Sequence, residues 1–465
     1  MTALQQTHTG LPTAQRSTTR ELLDIALPMV VSQGSFAIMV FCDRMFLSFL
    51  GPEYIAAAMA GGVSAFFTCA LFTGTLSYAN ALTAQYYGRG DHKKCPRVVT
   101  HGALLSVAAL PVVVLAAVGV YWLFSKVGHA EYQLALERSY YRVLIAGAIF
   151  LLLKTVVGSY FAGIGRTRVV MIADVAGVAL NIPLSYVLIF GKLGLPAMGI
   201  TGAAWGTVIS GAFSLGIFLL FFFGRQHRQQ FAVSEAFQLD RGLTGRYLRL
   251  GIPSGFEMFM NVGTFNLFVL MFQSYGVAAG AAAAIVFNWD MMSFVPMVGL
   301  HIAVISLIGR YVGANDMSQT NAVILAGFKL ACGYAGTLGL VFVVFRSPLV
   351  GLFAQSDADF SEILELGSFM MVGLACYVLA DATVLVAGGT LRGAGDTRWL
   401  MTVSIALHCL MVFAQYLIIM VYDLGPRTSW IAFVAMIILL ALAFLGRLLG
   451  GVWRQPERLA RVMAE

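Results

Sequence analysis

The sequence predicts an all-α integral membrane protein with twelve transmembrane helices in two six-helix lobes, related by a pseudo-twofold axis along the membrane normal. Three observations carry that expectation. Of the 465 residues, 59% are hydrophobic and 11% charged, with a mean hydropathy of +0.83; a soluble globular domain has about 45–50% apolar residues. The apolar residues fall in runs of roughly 20 or more, each long enough to cross a bilayer core about 30 Å thick. Landmarks in the first half of the chain recur in the second. Together these facts exclude a soluble enzyme, a secreted disulfide scaffold and a disordered chain.

The elements follow in order. The segment at 1–20 is polar and lacks the apolar stretch of a cleavable signal peptide, so the first apolar helix is expected to start insertion. A first lobe at 21–224 holds spans at 24–50, 55–87, 97–125, 139–163, 169–191 and 200–224. A linker at 225–247 follows, overlapping the polar stretch GRQHRQQFAVSEAFQLDRGL at 224–243. A second lobe at 248–453 holds spans at 248–275, 280–312, 318–346, 362–391, 398–423 and 427–453, and a polar tail runs from 454 to 465.

The duplication rests on matched landmarks. YYGRGD at 86–91 ends the second span and YVGAND at 311–316 the eighth, an offset of 225 residues. The same offset relates Leu27-Pro28 to Ile252-Pro253. GIGRTR at 163–168 and GAGDTR at 393–398 follow the fourth and tenth spans, offset by 230. Six spans per repeat bring both halves in from the same side, so the repeats are parallel.

Lys and Arg then orient the chain. Arg16, Arg20, Arg89, Lys93, Lys94, Arg97, Arg166, Arg168, Arg225, Arg228, Arg241, Arg246, Arg249, Arg310, Arg392, Arg398, Arg447, Arg454, Arg458 and Arg461 fall on one side. The other holds only Lys126, Arg138, Arg142, Lys192, Arg346 and Arg427. This bias predicts a cell inner membrane protein with both termini cytoplasmic. The net charge of +7 is scattered over short loops and so reflects topology rather than nucleic-acid binding. Cys42, Cys69, Cys95, Cys332, Cys376 and Cys409 form no C-x-x-C pair, so neither a zinc site nor a disulfide framework is expected. With no phosphate-binding G-x-x-x-x-G-K-[ST] loop and no hydrolase triad spacing, the chain reads as a non-enzyme that ATP does not drive directly.

Ionisable residues at membrane depth are costly and mark function by default. Five acids qualify, Asp43, Asp174, Glu257, Asp290 and Asp381, with three bases, Arg44, Lys154 and Lys329. Asp174 is the shallowest acid and is expected to be solvated or paired with a loop. Lys329 can snorkel and Arg44 can reach interfacial water. Lys154, near the middle of its span, needs an acid partner. Asp43 and Asp174 both qualify, and pairing with Asp43 would hold that carboxylate ionised. In the second half Glu257, Asp290 and Asp381 have no intramembrane base beyond Lys329, so they require protons or a hard cation with oxygen ligands. Asn288 and Asn261 could add neutral oxygens. His301 and His408 read as packing or hydrogen-bonding residues.

DRMFLSFLG at 43–51, AQYYGRGD at 84–91, GIGRTR at 163–168, NIPLSYVLIFGKLGLPAMGITGAAWGT at 181–207, LGIPSGFE at 250–257, GRYVGAND at 309–316 and LRGAGDTR at 391–398 carry a resemblance. The chain resembles the multidrug and toxic compound extrusion (MATE) family from about Arg20 to about Gly450. The resemblance implies secondary active efflux of organic cations and other amphipathic compounds, in exchange for sodium ions or protons by alternating access. It assigns cation coupling to Asp43, Glu257 and Asp381, and to Asp290, where some members carry an acid. A sodium site at Glu257 and Asp381 follows, with Lys154, Asp174, Asn181 and Asn288 in support. One departure stands out: archaeal members have an acid four residues after the Asn matching Asn181, where this chain has Ser185. The implied partners are small amphipathic or cationic molecules and membrane lipid, without nucleic acid; the chain is expected to be a monomer with no cofactor. The alternative, a flippase for lipid-linked sugars from the wider superfamily, needs several bases to hold a pyrophosphate, and only Arg44 and Lys154 are available.

Overall fold

The computed structural model describes residues 17–124, 131–353 and 360–464. Residues 1–16 of the polar leading segment, and Lys126, lie outside them. Regular structure among the described residues is entirely helical. Helix α1 (Thr18–Ser48) begins at Ser17, whose hydroxyl accepts from the Arg20 amide at 3.3 Å. Helices α2 (Pro52–Ser77) and α3 (Ala79–Gly88) form one span interrupted at Tyr78, followed by α4 (Lys94–Phe124). Helices α5 (Glu131–Ala146) and α6 (Ala148–Gly163) meet at a bend of 48°. The fourth span is therefore broken and starts earlier than 139: at the break, a Cβ on Gly147 would lie 2.4 Å from the Val208 side chain, so the absent side chain admits the neighbouring helix. Helices α7 (Thr167–Phe190) and α8 (Ile200–Phe222) complete the first lobe, and α9 (Arg225–Phe231) follows.

The second lobe repeats the pattern. Helix α10 (Arg241–Gln273) is capped by Asp240, whose carboxylate accepts from Gly242 at 2.9 Å and Leu243 at 3.2 Å, supplying the first-turn amides that a helix cannot satisfy itself. Then come α11 (Val277–Gly313), α12 (Met317–Val344), the short α13 (Arg346–Gly351) and α14 (Ser361–Ala394). Helix α15 (Thr397–Tyr416) runs into a π-helical turn at Leu417–Val421, and α16 (Gly425–Leu449) and α17 (Pro456–Met463) end the described chain. With the bent pair counted once, twelve spans are long and apolar enough to cross a membrane. Two of the duplicated landmarks are turns: Gly90 and Asn315, and likewise Gly165 and Gly395, have φ between +57° and +88°, while Pro28 and Pro253 lie inside α1 and α10.

The lobes meet reciprocally, α1 on α11 and α2 on α10, as a twofold axis between repeats requires. Contact runs from mid-depth, where Phe67 stacks on Phe259 at 4.6 Å, to the face that carries α9 and α17. There the backbones nearly touch. A Cβ on Gly88 would fall 1.8 Å from the Arg310 carbonyl, and one on Gly313 would fall 2.2 Å from the Gln85 carbonyl. Polar bridges cross the same seam: Gln85 Nε2 donates to the Gly393 carbonyl at 2.7 Å, Ser306 to that of Ala162 at 2.7 Å, and Tyr247 to that of Leu76 at 2.7 Å. Arg310 pairs with Glu21 at 3.2 Å and lies 4.9 Å over the Tyr87 ring. On the far side of the Phe67 stack, aromatic contacts stay within a lobe, such as Phe46 with Tyr186 and Trp289 with Phe342.

Each lobe ends in a short helix that returns to its own G-x-G-x-T-R loop. Arg166 reaches His227 and Gln230 of α9, while Asp396, at the matching position, receives Arg447 at 2.7 Å and Arg458 of α17 at 3.6 Å. The linker is accordingly docked, with Phe231, Val233 and Ala236 buried. Arg166 can only donate, so His227 Nδ1 accepts from it at 3.1 Å and Nε2–H donates to Tyr160 at 2.8 Å. Burial first, then the Arg166 guanidinium, push the His227 pKa from 6.5 down to about 4. A released α9 thus takes a proton before the docked one does, so docking is at full strength above the free value and weakens as pH falls toward the docked value. Hydrogen exchange at 225–231 is expected to quicken relative to the intrinsic rate as pH drops from 6.5 to about 4. His227→Phe should flatten that response; protection that ignores pH would refute the assignment.

Candidate functional site

Five intramembrane acids fall into four environments. Asp43 on α1 is only 6% exposed. Its carboxylate meets Thr207 Oγ1 of α8 at 3.4 Å and Ser185 of α7. With its amide oriented to satisfy both neighbours, Asn181 donates to Asp43 Oδ1 at 3.3 Å and accepts from the Thr207 amide at 3.3 Å. All three groups are neutral. Ser185, where archaeal relatives of the family are expected to carry an acid, supplies a hydroxyl to this pocket.

Of the two acids open to Lys154, the structure selects Asp174, and the Asp43–Lys154 pair does not form. Lys154 Nζ instead lies 2.8 Å from Asp174 Oδ1, and Ser32 of α1 donates to the other carboxylate oxygen. Asp174 is therefore neither solvated nor loop-paired. Seven residues separate Asp174 from Asn181, two turns of α7, so both sit on one face but at different depths. Arg44 is exposed.

The second lobe holds two tiers. Asp290 of α11 is 7% exposed, bonded to the Tyr377 hydroxyl and within electrostatic range of Asp381, both of α14. One oxygen of each carboxylate, Asp290 Oδ1 and Asp381 Oδ2, is buried without a hydrogen-bond partner. The other tier contains a base that the loop motif concealed. Arg392 Nη2 lies 2.8 Å from Glu257 Oε2, and its Nη1 lies 2.9 Å from His301 Nε2. His301 Nδ1–H donates to the Leu385 carbonyl at 2.6 Å, which fixes the neutral tautomer. Arg392 follows Asp381 by eleven residues and His301 follows Asp290 by the same number, which sets the tiers about 16 Å apart at 1.5 Å per residue. The structure thus brings Asp290 and Asp381 together and pairs Glu257 with Arg392 rather than with Asp381. Asn288 donates to the Ala284 carbonyl of its own helix at 2.8 Å, and Asn261 faces His408 at 3.5 Å. Among the described residues no three His, Cys, Asp or Glu side chains converge as a metal site, and the cysteines are free thiols.

Ion pairing therefore cancels the charge of Asp174 and Glu257 internally. Asp43, Asp290 and Asp381 remain as carboxylates set among neutral groups or against another acid. Such groups are costly as bare anions inside a bilayer and call for a proton or a cation. Sequence reasoning saw the acids and missed Ser32, Thr207, Tyr377 and the reach of Arg392; the eleven-residue spacings from Asp381 to Arg392 and from Asp290 to His301 were the readable signal.

Twelve helices in two reciprocal lobes, with acids at mid-depth in each, define a polytopic carrier-type membrane protein. The MatE family model matches residues 28–187 and 253–417, and the chain belongs to that family. It is 32% identical over 337 residues to "Probable multidrug resistance protein NorM" of Thermotoga maritima, covering 70% of this chain and 69% of that one. It is 26% identical over 398 residues to "Multidrug resistance protein PmpM" of Pseudomonas aeruginosa, covering 84% and 81%. In fold it is similar to a MOP superfamily transporter from Pyrococcus furiosus, with a TM-score of 0.83 at 20% identity over 94% of this chain and 97% of that one.

The pairing of Lys154 has a direct test. Lys154→Met leaves Asp174 with an uncompensated, partly buried charge, and should lower unfolding stability in detergent by about 2 kcal/mol, below the roughly 3–5 kcal/mol of fully buried pairs. Adding Asp174→Asn should restore most of it. Fully additive losses in the double variant would rule the pair out.

Proposed function

We propose that this chain is a secondary active multidrug efflux transporter of an inner membrane, exporting amphipathic and cationic compounds in exchange for sodium ions or protons. Its relatives are named as multidrug resistance proteins, and the distribution of Lys and Arg supports a cytoplasmic α9/α17 face. On that orientation the structure corresponds to a state sealed toward the cytoplasm and separated toward the outside.

The observation that carries the reading is the charge balance. Asp290 and Asp381 sit together with one unpartnered oxygen each, and Asp43 has only neutral partners. Two adjacent carboxylates do not stay ionised together without a counter-charge. A proton or sodium ion entering from outside neutralises them, and the resulting change in charge alters which lobe arrangement is favoured. Transport follows if substrate and ion prefer opposite arrangements. Glu257 takes part differently, because Arg392 already serves as its counter-ion, so an ion that reaches Glu257 must displace a guanidinium.

The test is efflux of a fluorescent organic cation from proteoliposomes under separately imposed sodium and pH gradients. Asp290→Asn, Asp381→Asn and Asp43→Asn are each expected to reduce gradient-driven efflux at least about tenfold, the equivalent of roughly 1.4 kcal/mol of lost coupling, while folding is kept. Glu257→Gln and Arg392→Gln are expected to lower it by similar factors, with the double variant no worse than either. Wild-type rates in the Asp381 and Asp290 variants, or efflux indifferent to both gradients, would overturn the proposal.

A further inference from the structure

Eight residues at the end of the described chain do more than finish it. In α17, Leu459, Val462 and Met463 recur at helical spacing and form an apolar edge, while Arg458 and Arg461 lie off it. That edge straddles the seam: Leu459 and Met463 pack on the second-lobe core, and Val462 packs on the core built mainly from first-lobe residues such as Tyr86 and Val98. A Cβ on Gly395 would fall 2.4 Å from Val462, so the glycine opens the seat for it.

The carbonyls of the last turn have no partners within the helix, and arginines from both lobes supply them. Arg249 donates to the Arg461 carbonyl at 3.1 Å and to that of Ala464 at 2.7 Å. Arg89, of the first lobe, reaches the Met463 carbonyl at 3.5 Å. Arg246 is the junction. Its Nε donates to the Val462 carbonyl at 2.9 Å, its Nη2 to Gln85 Oε1 of the first lobe, and its plane lies 4.9 Å over the Tyr86 ring. Arg246 is 1% exposed and its Nη1 already lacks a partner. Losing the Val462 carbonyl would leave a second guanidinium donor buried and unpaired, exactly where the guanidinium ties the lobes together.

The repeat sharpens the point. Helix α9, the matching element of the first half, stays on its own lobe, whereas α17 lies across both. A cavity of about 390 Å³ remains beside it, lined by Arg89, Val312, Asn315, Met317, Leu459 and Met463. The helix is thus seated by carbonyl contacts and one apolar edge rather than by full packing, which suits an element that must release.

We propose that residues 452–464 form a latch that favours the arrangement closed at the α9/α17 face and must lift for that face to open. The latch rests on the alternating-access reading above but is measured separately from transport. Spin labels at Arg168 of the first lobe and Ser318 of the second, both exposed, report the seam by pulsed electron resonance in a cysteine-free, otherwise full-length chain. Val462→Glu, which puts a charge into the apolar seat, and a chain ending at Gly451 are expected to raise the long-distance population at least about fivefold, the size of effect of one ordinary hydrogen bond. A synthetic peptide of residues 452–464 should reverse the effect of truncation. Should truncation impair folding, Val462→Glu, which disrupts the apolar edge, and Arg249→Ala, which removes the donor to two carbonyls, decide the matter. Unchanged distances in these variants would overturn the latch whatever the transport rate; distances that respond in a protein that moves no substrate would leave the latch and remove the transporter.

Discussion

The structure depends on one close approach, where Gly88 and Gly313 let two lobes bring their backbones together at the α9/α17 face. In a bilayer the lipid-facing surface gains nothing from helix association, because lipid tails are as apolar as leucine. Small residues and interhelical hydrogen bonds must do that work. Ala81, Ala84, Gly309 and Gly313 form such a strip, and Gln85, Ser306, Arg246 and Arg310 add the polar bonds. The seam joins helix ends and backbone carbonyls with apolar contacts: Phe67 on Phe259 at mid-depth, and Leu22 and Ile25 of α1 in the second-lobe core.

Much of the fold was legible because hydropathy in a membrane protein records burial in lipid directly. Twelve spans, their approximate limits and the duplication all follow from apolar runs and three repeated landmarks, two of which are turns with left-handed backbone at matching positions. What was not legible is instructive. The break at Gly147 leaves no mark in hydropathy, since it lies inside the apolar run VLIAGAIFLLL at 143–153, and the first turns of α5 were missed because EYQLALER at 131–138 is polar. Helix α17 read as a polar tail because eight residues with two arginines cannot resemble a span, yet its few apolar residues fall on one edge.

The acids were legible as residues and not as an arrangement. Composition places Lys154 with an acid of its own lobe, but helical phase chooses between Asp43 and Asp174, and phase is decided by how α1, α6 and α7 pack. Arg392 was hidden for a different reason. Its Cα belongs to the last turn of α14, inside a motif that reads as a loop, while its long side chain carries the charge back to Glu257. Assigning a charge to a membrane side from its sequence position fails for a residue whose head group sits several ångströms from its backbone.

That placement joins chemistry to closure. Arg392 pairs with Glu257 through its side chain, and the next residue, Gly393, gives its carbonyl to Gln85 across the seam. Gln85 in turn accepts from Arg246. The ion pair inside the second lobe and the bridge between lobes therefore hang on two consecutive residues of one helix. A helical turn is too stiff for them to move independently, since shifting either one breaks its neighbour's hydrogen bonds. Any change that releases Glu257 from Arg392 is felt at the Gly393 carbonyl within a single residue, and opening the seam pulls on the same turn from the other side. The Glu257–Arg392 pair and the lobe interface are thus joined through one shared turn of α14.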